Sequence, residues 1–268
     1  MSKTIGIIGN GFVGEALAFA FSSSHNVKIY DIIKSKSIDS LDKTLDTDFV
    51  FVCLPTPMND DGSQNISFIN NFFDNNHDKQ KPIYIIKSTI LPGTTKKLCK
   101  KYPNLKIVFS PEFLTQRNAK IDIITQSRII LGSENISLSN KVEKLFNTRF
   151  KNKNVIKTNS VTAEYIKYMN NNFFATKVSL MNEFYRFAKK LGVNWEEALN
   201  GFVADQRIGD SHLDVPGPDG KLGFGGACFP KDINAFIKFS KEYKINMNIL
   251  EAAWKTNTEV RSEKNIDF

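Results

Sequence analysis

The sequence predicts an α/β chain in which a doubly wound parallel sheet is followed by a helical domain built on one long central helix. Three observations predict this. Up to about residue 155, short Val- and Ile-rich runs alternate with helix-like spacings, the pattern of a parallel sheet covered on both faces. The turn "GNGFVG" places Gly9, Gly11 and Gly14 in GxGxxG spacing between the first run and the first helical segment, which is the Rossmann arrangement. From Val161 to Leu191, apolar residues recur at three- and four-residue steps with no strand-like run. The expected division is a dinucleotide-binding domain over 1–158 and a helical domain over 159–268.

Each element has its own signal. "TIGIIG" reads as the first buried strand, and Val13 to Ser22 as the helix after it. "NVKIYD", "DFVFVCLP", "PIYIIKST", "LKIVFSP" and "SRIILG" read as five further strands, and "SLSNKVEKLFNTRF" as a helix. The long helix ends at Gly192, a suitable C-cap. "NWEEALNGFVAD" opens on Asn194 as N-cap. A Gly- and Pro-rich loop follows from Gly209 to Gly226 and ends at Cys228. "KDINAFIKFSKEYK" and "NILEAAWKTNTEVRSEK" then read as helices.

Composition narrows the function classes. The 268 residues are 41% hydrophobic, enough for a sizeable core, and no apolar run is long enough to cross a bilayer. The apolar stretch at the N-terminus lacks a cleavage-type ending, so it does not read as a signal peptide. Cys53, Cys99 and Cys228 are odd in number and unrelated in spacing, which is neither a disulfide framework nor a zinc pattern. A reducing cytoplasm is the expected compartment. His25, His77 and His212 are scattered, so no metal is expected. The net charge of +8 is dispersed, with no basic block among aromatics, which argues against nucleic acid. It suits a solvated surface or an anionic small ligand.

The glycine turn and its surroundings point to NAD. Gly9 permits the tight turn, Gly11 lets the backbone approach a pyrophosphate, and Gly14 lets helix and strand pack. The helix N-terminus supplies N–H groups and partial positive charge. Asp31 lies twenty residues past Gly11 and ends the second strand, where an acid accepts ribose hydroxyls and disfavours a 2′-phosphate. Lys36 is the residue that would favour NADP instead. Further along, Lys167 and Asn171 are four apart on one helix face, beside Phe174 and Val178. A lysine and an amide there suit an oxyanion, although most such pairs are simply solvated. Thr89 and Glu112 end the fourth and fifth strands, the rim where ligands bind in open α/β sheets. By itself "GFGGACFPKD" leaves Cys228 open between a nucleophile and a buried apolar thiol.

Seven motifs then carry a resemblance. "GNGFVG", "LPTPMNDDGS", "KSTILPGTT", "SPEFL", "AEYIKYMNNNFFATKVSLMNE", "DQRIG" and "GFGGACFPKD", in that order, are similar to the UDP-glucose/GDP-mannose dehydrogenase family. The Lys-x-x-x-Asn helix also resembles the broader hydroxyacid dehydrogenases, which lack the cysteine stretch. The resemblance implies NAD-dependent two-step oxidation of a nucleotide sugar, UDP-glucose before GDP-mannose or an N-acetylated UDP-sugar. It implies that Lys167 and Asn171 stabilise an alkoxide, with a water near Thr89 and Glu112 accepting the proton. It implies that Cys228 attacks the aldehyde, with the Lys231 charge favouring its thiolate, and that Asp232 or Glu112 activates the hydrolytic water. Val13, Asp31, Lys36, Thr56, Thr89 and Lys231 match family cofactor contacts. Glu112, Phe113, Leu114, Gln116, Lys167, Asn171 and Gly225 match substrate contacts. Arg207 matches a residue reaching the substrate's phosphates across a homodimer interface; it also reads as an ordinary surface arginine.

Two departures from the family stand out. Gln116 occupies a position often held by glutamate, and an amide cannot serve as a base. Family members also continue into a second α/β domain that closes over the nucleotide. The sequence given ends at Phe268, near where that domain would begin, so part of the nucleotide cleft is expected to be missing. A binding module without turnover is therefore the alternative to an enzyme.

Overall fold

The computed structural model describes residues 2–261. The chain forms two compact units. One comprises the chain up to Pro57 together with Asn65–Lys167; the other comprises Met58–Gln64 together with the chain from Tyr168 onward.

The first unit is built on a seven-stranded sheet. Its strands are β1 (Thr4–Ile8), β2 (Asn26–Tyr30), β3 (Phe49–Val52), β4 (Ile83–Ile86), β5 (Lys106–Phe109), β6 (Arg128–Gly132) and β7 (Asn154–Thr158), in spatial order β2-β1-β3-β4-β5-β6-β7. The first five run parallel. β6 joins β5 antiparallel through the single pair Phe109↔Gly132, and β7 runs parallel to β6. The helices of this unit are α1 (Phe12–Phe21), α2 (Leu41–Leu45), α3 (Ser67–Asn76), α4 (Thr94–Lys101), α5 (Ala119–Thr125) and α6 (Ile136–Arg149).

The two-residue repeat of a strand sends alternate side chains to opposite faces, so a strand buried on both must be apolar throughout. β3 shows this: Phe49 and Phe51 enter one core cluster with Leu17, Phe21 and Phe146, while Val50 and Val52 enter the other with Phe73, Tyr84 and Phe109. Ile83 and Ile85 against Tyr84 and Ile86 repeat the division in β4. β7 differs. It is a largely exposed edge strand, "NVIKT", whose polar residues gave no continuous apolar run, and the sequence reading passed it over.

α7 (Ser160–Leu191) begins in the first unit and continues into the second. Gly192 follows it at φ 72°, the left-handed conformation expected of a C-cap. The second unit adds α8 (Trp195–Val203), α9 (Phe229–Glu242) and α10 (Asn248–Val260). Asn194 caps α8 by accepting the Glu197 N–H. The sequence reading extended α10 to Lys264; residues past 261 lie outside the described ones. Phe224, Ile233, Ile237 and Ala253 form one core cluster of this unit with Ala175 of α7, and Met181, Leu213 and Val215 form another. Among the described residues no helix is long and apolar enough to cross a membrane. Among them, no group of three potential metal ligands occurs.

Candidate active site

In the first unit the glycine turn is pressed against the sheet on one side and open on the other. Gly9 has φ 92°, and a Cβ there would lie 2.5 Å from the Cys53 carbonyl oxygen. A Cβ on Gly14 would lie 2.0 Å from the Gly9 oxygen. Gly11, the N-cap of α1, has no atom within 4 Å of its Cβ position, and no side chain caps that helix. The Asp31 carboxylate accepts the Asn10 N–H at 2.7 Å and the Ile33 N–H at 2.8 Å, tying the turn to the end of β2. Lys36 is exposed, and its carbonyl accepts the Asn10 amide at 2.8 Å. Val13 is half-buried in the first turn of α1. The Thr56 hydroxyl donates to the Thr89 carbonyl at 2.9 Å, joining the segments after β3 and β4. An open-sided glycine at a helix N-terminus, with a carboxylate at the second strand's end, fits the pyrophosphate and ribose of NAD.

Past β5 the chain buries Glu112 against α7. Lys167 Nζ donates to Glu112 Oε1 at 3.0 Å and to its carbonyl at 2.7 Å, and the Leu114 N–H donates to Oε2 at 2.6 Å. Burial works to raise the Glu112 carboxyl, but Lys167 and the Leu114 N–H together hold it below the usual range. The Phe113 ring lies under both Lys167 Nζ, at 5.3 Å, and the Arg128 guanidinium, at 4.4 Å. Gln116 is exposed beyond them.

Two residues here escaped the sequence reading. Lys87, directly after β4, is buried; its ammonium donates to the Pro111 carbonyl at 3.1 Å, and burial brings it down to about 8. Its signal was present: a lysine closing an otherwise apolar strand at the carboxyl rim. Glu164 on α7 is fully buried and accepts the N–H groups of Gly93 at 2.5 Å and Thr95 at 2.7 Å, fixing the start of α4 a few residues past Thr89. Burial pushes its carboxyl up to about 7.

The second unit holds the remaining set. Cys228 is half-buried at the N-cap of α9, where a negative charge is favoured. Its carbonyl accepts the Asp232 N–H at 3.0 Å. The Asp232 carboxylate is buried, accepts the Asn171 amide at 2.6 Å and pairs with the Lys231 ammonium, so that charge is aimed at Asp232. Burial pushes the Cys53 thiol up to about 12 and the Cys99 thiol up to about 11, and both stay protonated near neutral pH. Arg207 is exposed and forks onto Asp205, with Nη2 at 2.6 Å. Gly225 lies beneath Arg261, a residue the sequence reading did not single out.

Sheet order, open glycine turn and rim residues define a dinucleotide-binding α/β protein with a helical second unit. The NAD binding domain profile of the UDP-glucose/GDP-mannose dehydrogenase family matches residues 35–150, and that family's central domain profile matches residues 161–259. The chain belongs to this family, and its first unit carries the family's NAD-binding domain. It is 32% identical to a UDP-glucose 6-dehydrogenase of Rickettsia prowazekii over 78% of this chain and 49% of that protein. It is 29% identical to the UDP-glucose 6-dehydrogenase AglM of Haloferax volcanii over 94% of this chain and 69% of that one. The chain thus spans about half the length of the rickettsial relative. A UDP-glucose dehydrogenase structure from Pyrobaculum islandicum superposes with a TM-score of 0.85 at 25% identity, covering 97% of this chain and 68% of that one. A 3-hydroxyisobutyrate dehydrogenase from Mycobacterium tuberculosis shares the fold alone, at TM-score 0.77 and 17% identity, with 95% of that chain covered.

Proposed function

We propose that this chain oxidises the primary alcohol of a nucleotide sugar to a carboxylate in two steps, with UDP-glucose as the first candidate substrate. Gly9, Gly11, Val13, Gly14, Asp31, Lys36, Thr56, Thr89 and Lys231 would hold NAD, which would supply the hydride acceptor for each oxidation. In the first, Lys167 and Asn171 stabilise the alkoxide as the hydroxyl loses its proton to a water beside Thr89 and Glu112. Lys167 is held ready by Glu112, and the pair opens when the ammonium turns to the sugar oxygen. In the second, the Cys228 thiolate adds to the aldehyde carbon, and loss of hydride from that adduct leaves a thioester. Water then cleaves the C–S bond, releasing the acid and returning the thiol, with Asp232 or Glu112 orienting the water. Glu112, Phe113, Leu114, Gln116 and Gly225 are proposed to line the sugar site, and Arg207 to reach a partner subunit's substrate.

The single observation carrying this reading is Cys228 at a helix N-cap, bonded through its carbonyl to Asp232, in a chain whose other two thiols are pushed out of the reactive range. The test is NADH formation with a panel of nucleotide sugars. Two NADH per sugar are expected with one member of the panel, and Cys228→Ala should stop the second. If NAD binds but no sugar is oxidised, the chain is a binding module. We also propose a homodimer: Phe173, Leu180, Phe184, Phe187 and Leu191 form an exposed apolar stripe along α7. Sedimentation should give twice the chain mass, and a monomer would remove the cross-subunit role of Arg207.

A further inference from the structure

Gly223 and Gly225 lie in the loop that leads to Cys228, and the space left by their missing side chains is filled from within the second unit. A Cβ on Gly225 would lie 2.4 Å from Nη2 and 2.5 Å from Cζ of Arg261. A Cβ on Gly223 would lie 2.4 Å from Oδ1 of Asn257. Asn257 is on the last turn of α10 and Arg261 directly follows it. The buried Asn257 amide pairs with Phe224 as a neighbouring strand would, accepting its N–H at 2.6 Å and donating to its carbonyl at 3.0 Å. Arg261 donates to the Leu222 carbonyl at 3.3 Å and to Asp219 at 2.6 Å. From α7, Asn182 accepts the Gly223 N–H at 2.9 Å and anchors its own amide on the Val178 carbonyl. Side chains therefore supply the pairing that regular secondary structure would supply elsewhere, at a stretch whose glycines would otherwise sample many conformations.

We infer that Asn257, Arg261 and Asn182 are positioning residues: they fix the backbone from Leu222 to Gly225 and so set where Cys228 is presented at the head of α9. This rests on the reading of Cys228 as the nucleophile. At Gly225 it gives the glycine a second purpose beside lining the sugar site, because the face where a side chain would stand already carries a guanidinium.

A double-mutant cycle tests it by a readout that needs no catalysis, the rate of Cys228 alkylation by iodoacetamide, followed on its own peptide by mass spectrometry. Gly225→Ala and Arg261→Ala should each raise the rate about tenfold, the equivalent of one lost buried hydrogen bond. The double variant should go no further than either single one, because both changes remove the same contact. Asn257→Ala should raise it at least as much. Additive effects of Gly225→Ala and Arg261→Ala would overturn the inference, since Gly225 would then serve something other than Arg261. So would an unchanged or lowered rate in Asn257→Ala, or a parallel rise at Cys53 and Cys99, which would mean general loosening. In steady state, kcat should fall while KM for NAD stays at the parent value. Cys228→Ser separates the two readings. If it still completes both oxidations, the nucleophile assignment fails, while the alkylation cycle still decides whether the loop is clamped.

Discussion

Two glycine-rich stretches of this chain look alike in sequence and are built for opposite reasons. In the turn from Gly9 to Gly14, the glycine at the helix head faces open space, and its two companions are pressed onto the protein's own backbone. In the stretch from Gly223 to Gly226, two glycines are filled by side chains of the same unit, and Gly226 at φ 72° faces open space. The first stretch leaves room for something to arrive; the second is largely occupied already. A missing side chain thus states that space is needed, and only the neighbours say for what.

The largest expected effect breaks the first stretch. Gly14→Ala sets a methyl group 2.0 Å from a backbone oxygen that cannot swing aside. It should destabilise the chain by about 3 kcal/mol or more, measured by denaturant unfolding. Gly11→Ala, three residues earlier, meets no atom within 4 Å and should leave the unfolding midpoint unchanged. Its effect should appear in calorimetry as about tenfold weaker NAD binding, since a methyl group there stands where the pyrophosphate approaches. Equal stability losses in the two variants would sink the contrast.

A smaller effect sharpens the comparison through charge. The second unit places the Asp232 carboxylate beside Lys231 and Asn171, whereas the first buries a lysine, Lys87, that burial lowers to about 8. In the unfolded chain a lysine titrates near ~10.4. Between those values the unfolded chain holds the extra proton, so this group's contribution to stability rises with pH from about 8 to about 10.4. Lys87→Met removes that contribution. The variant should therefore be more stable relative to its parent at pH 7 than at pH 10, by a few degrees in thermal melts. A difference that is flat with pH would show that the Lys87 ammonium is not held in a desolvated position.

The glycine turn, the apolar strands and the Asn194 cap were legible because each is a local pattern, set by neighbours a few residues apart. The Asn171–Asp232 contact, the Lys87 bond to Pro111 and the Glu164 bond to Gly93 join residues 61, 24 and 71 apart, and no spacing rule foretells them. β7 was missed because an edge strand, wet on much of its surface, has no reason to be apolar throughout.

By itself the sequence determined the class of fold, the place of the glycine turn and the residue types available for chemistry, because backbone conformation and burial pattern are written in short-range periodicity. Tertiary structure alone decided which charges meet, that Glu112 rests on Lys167, and that Arg261 rather than open space lies over Gly225. Those outcomes depend on side chains brought together across long loops, and a linear order does not carry the distance between them.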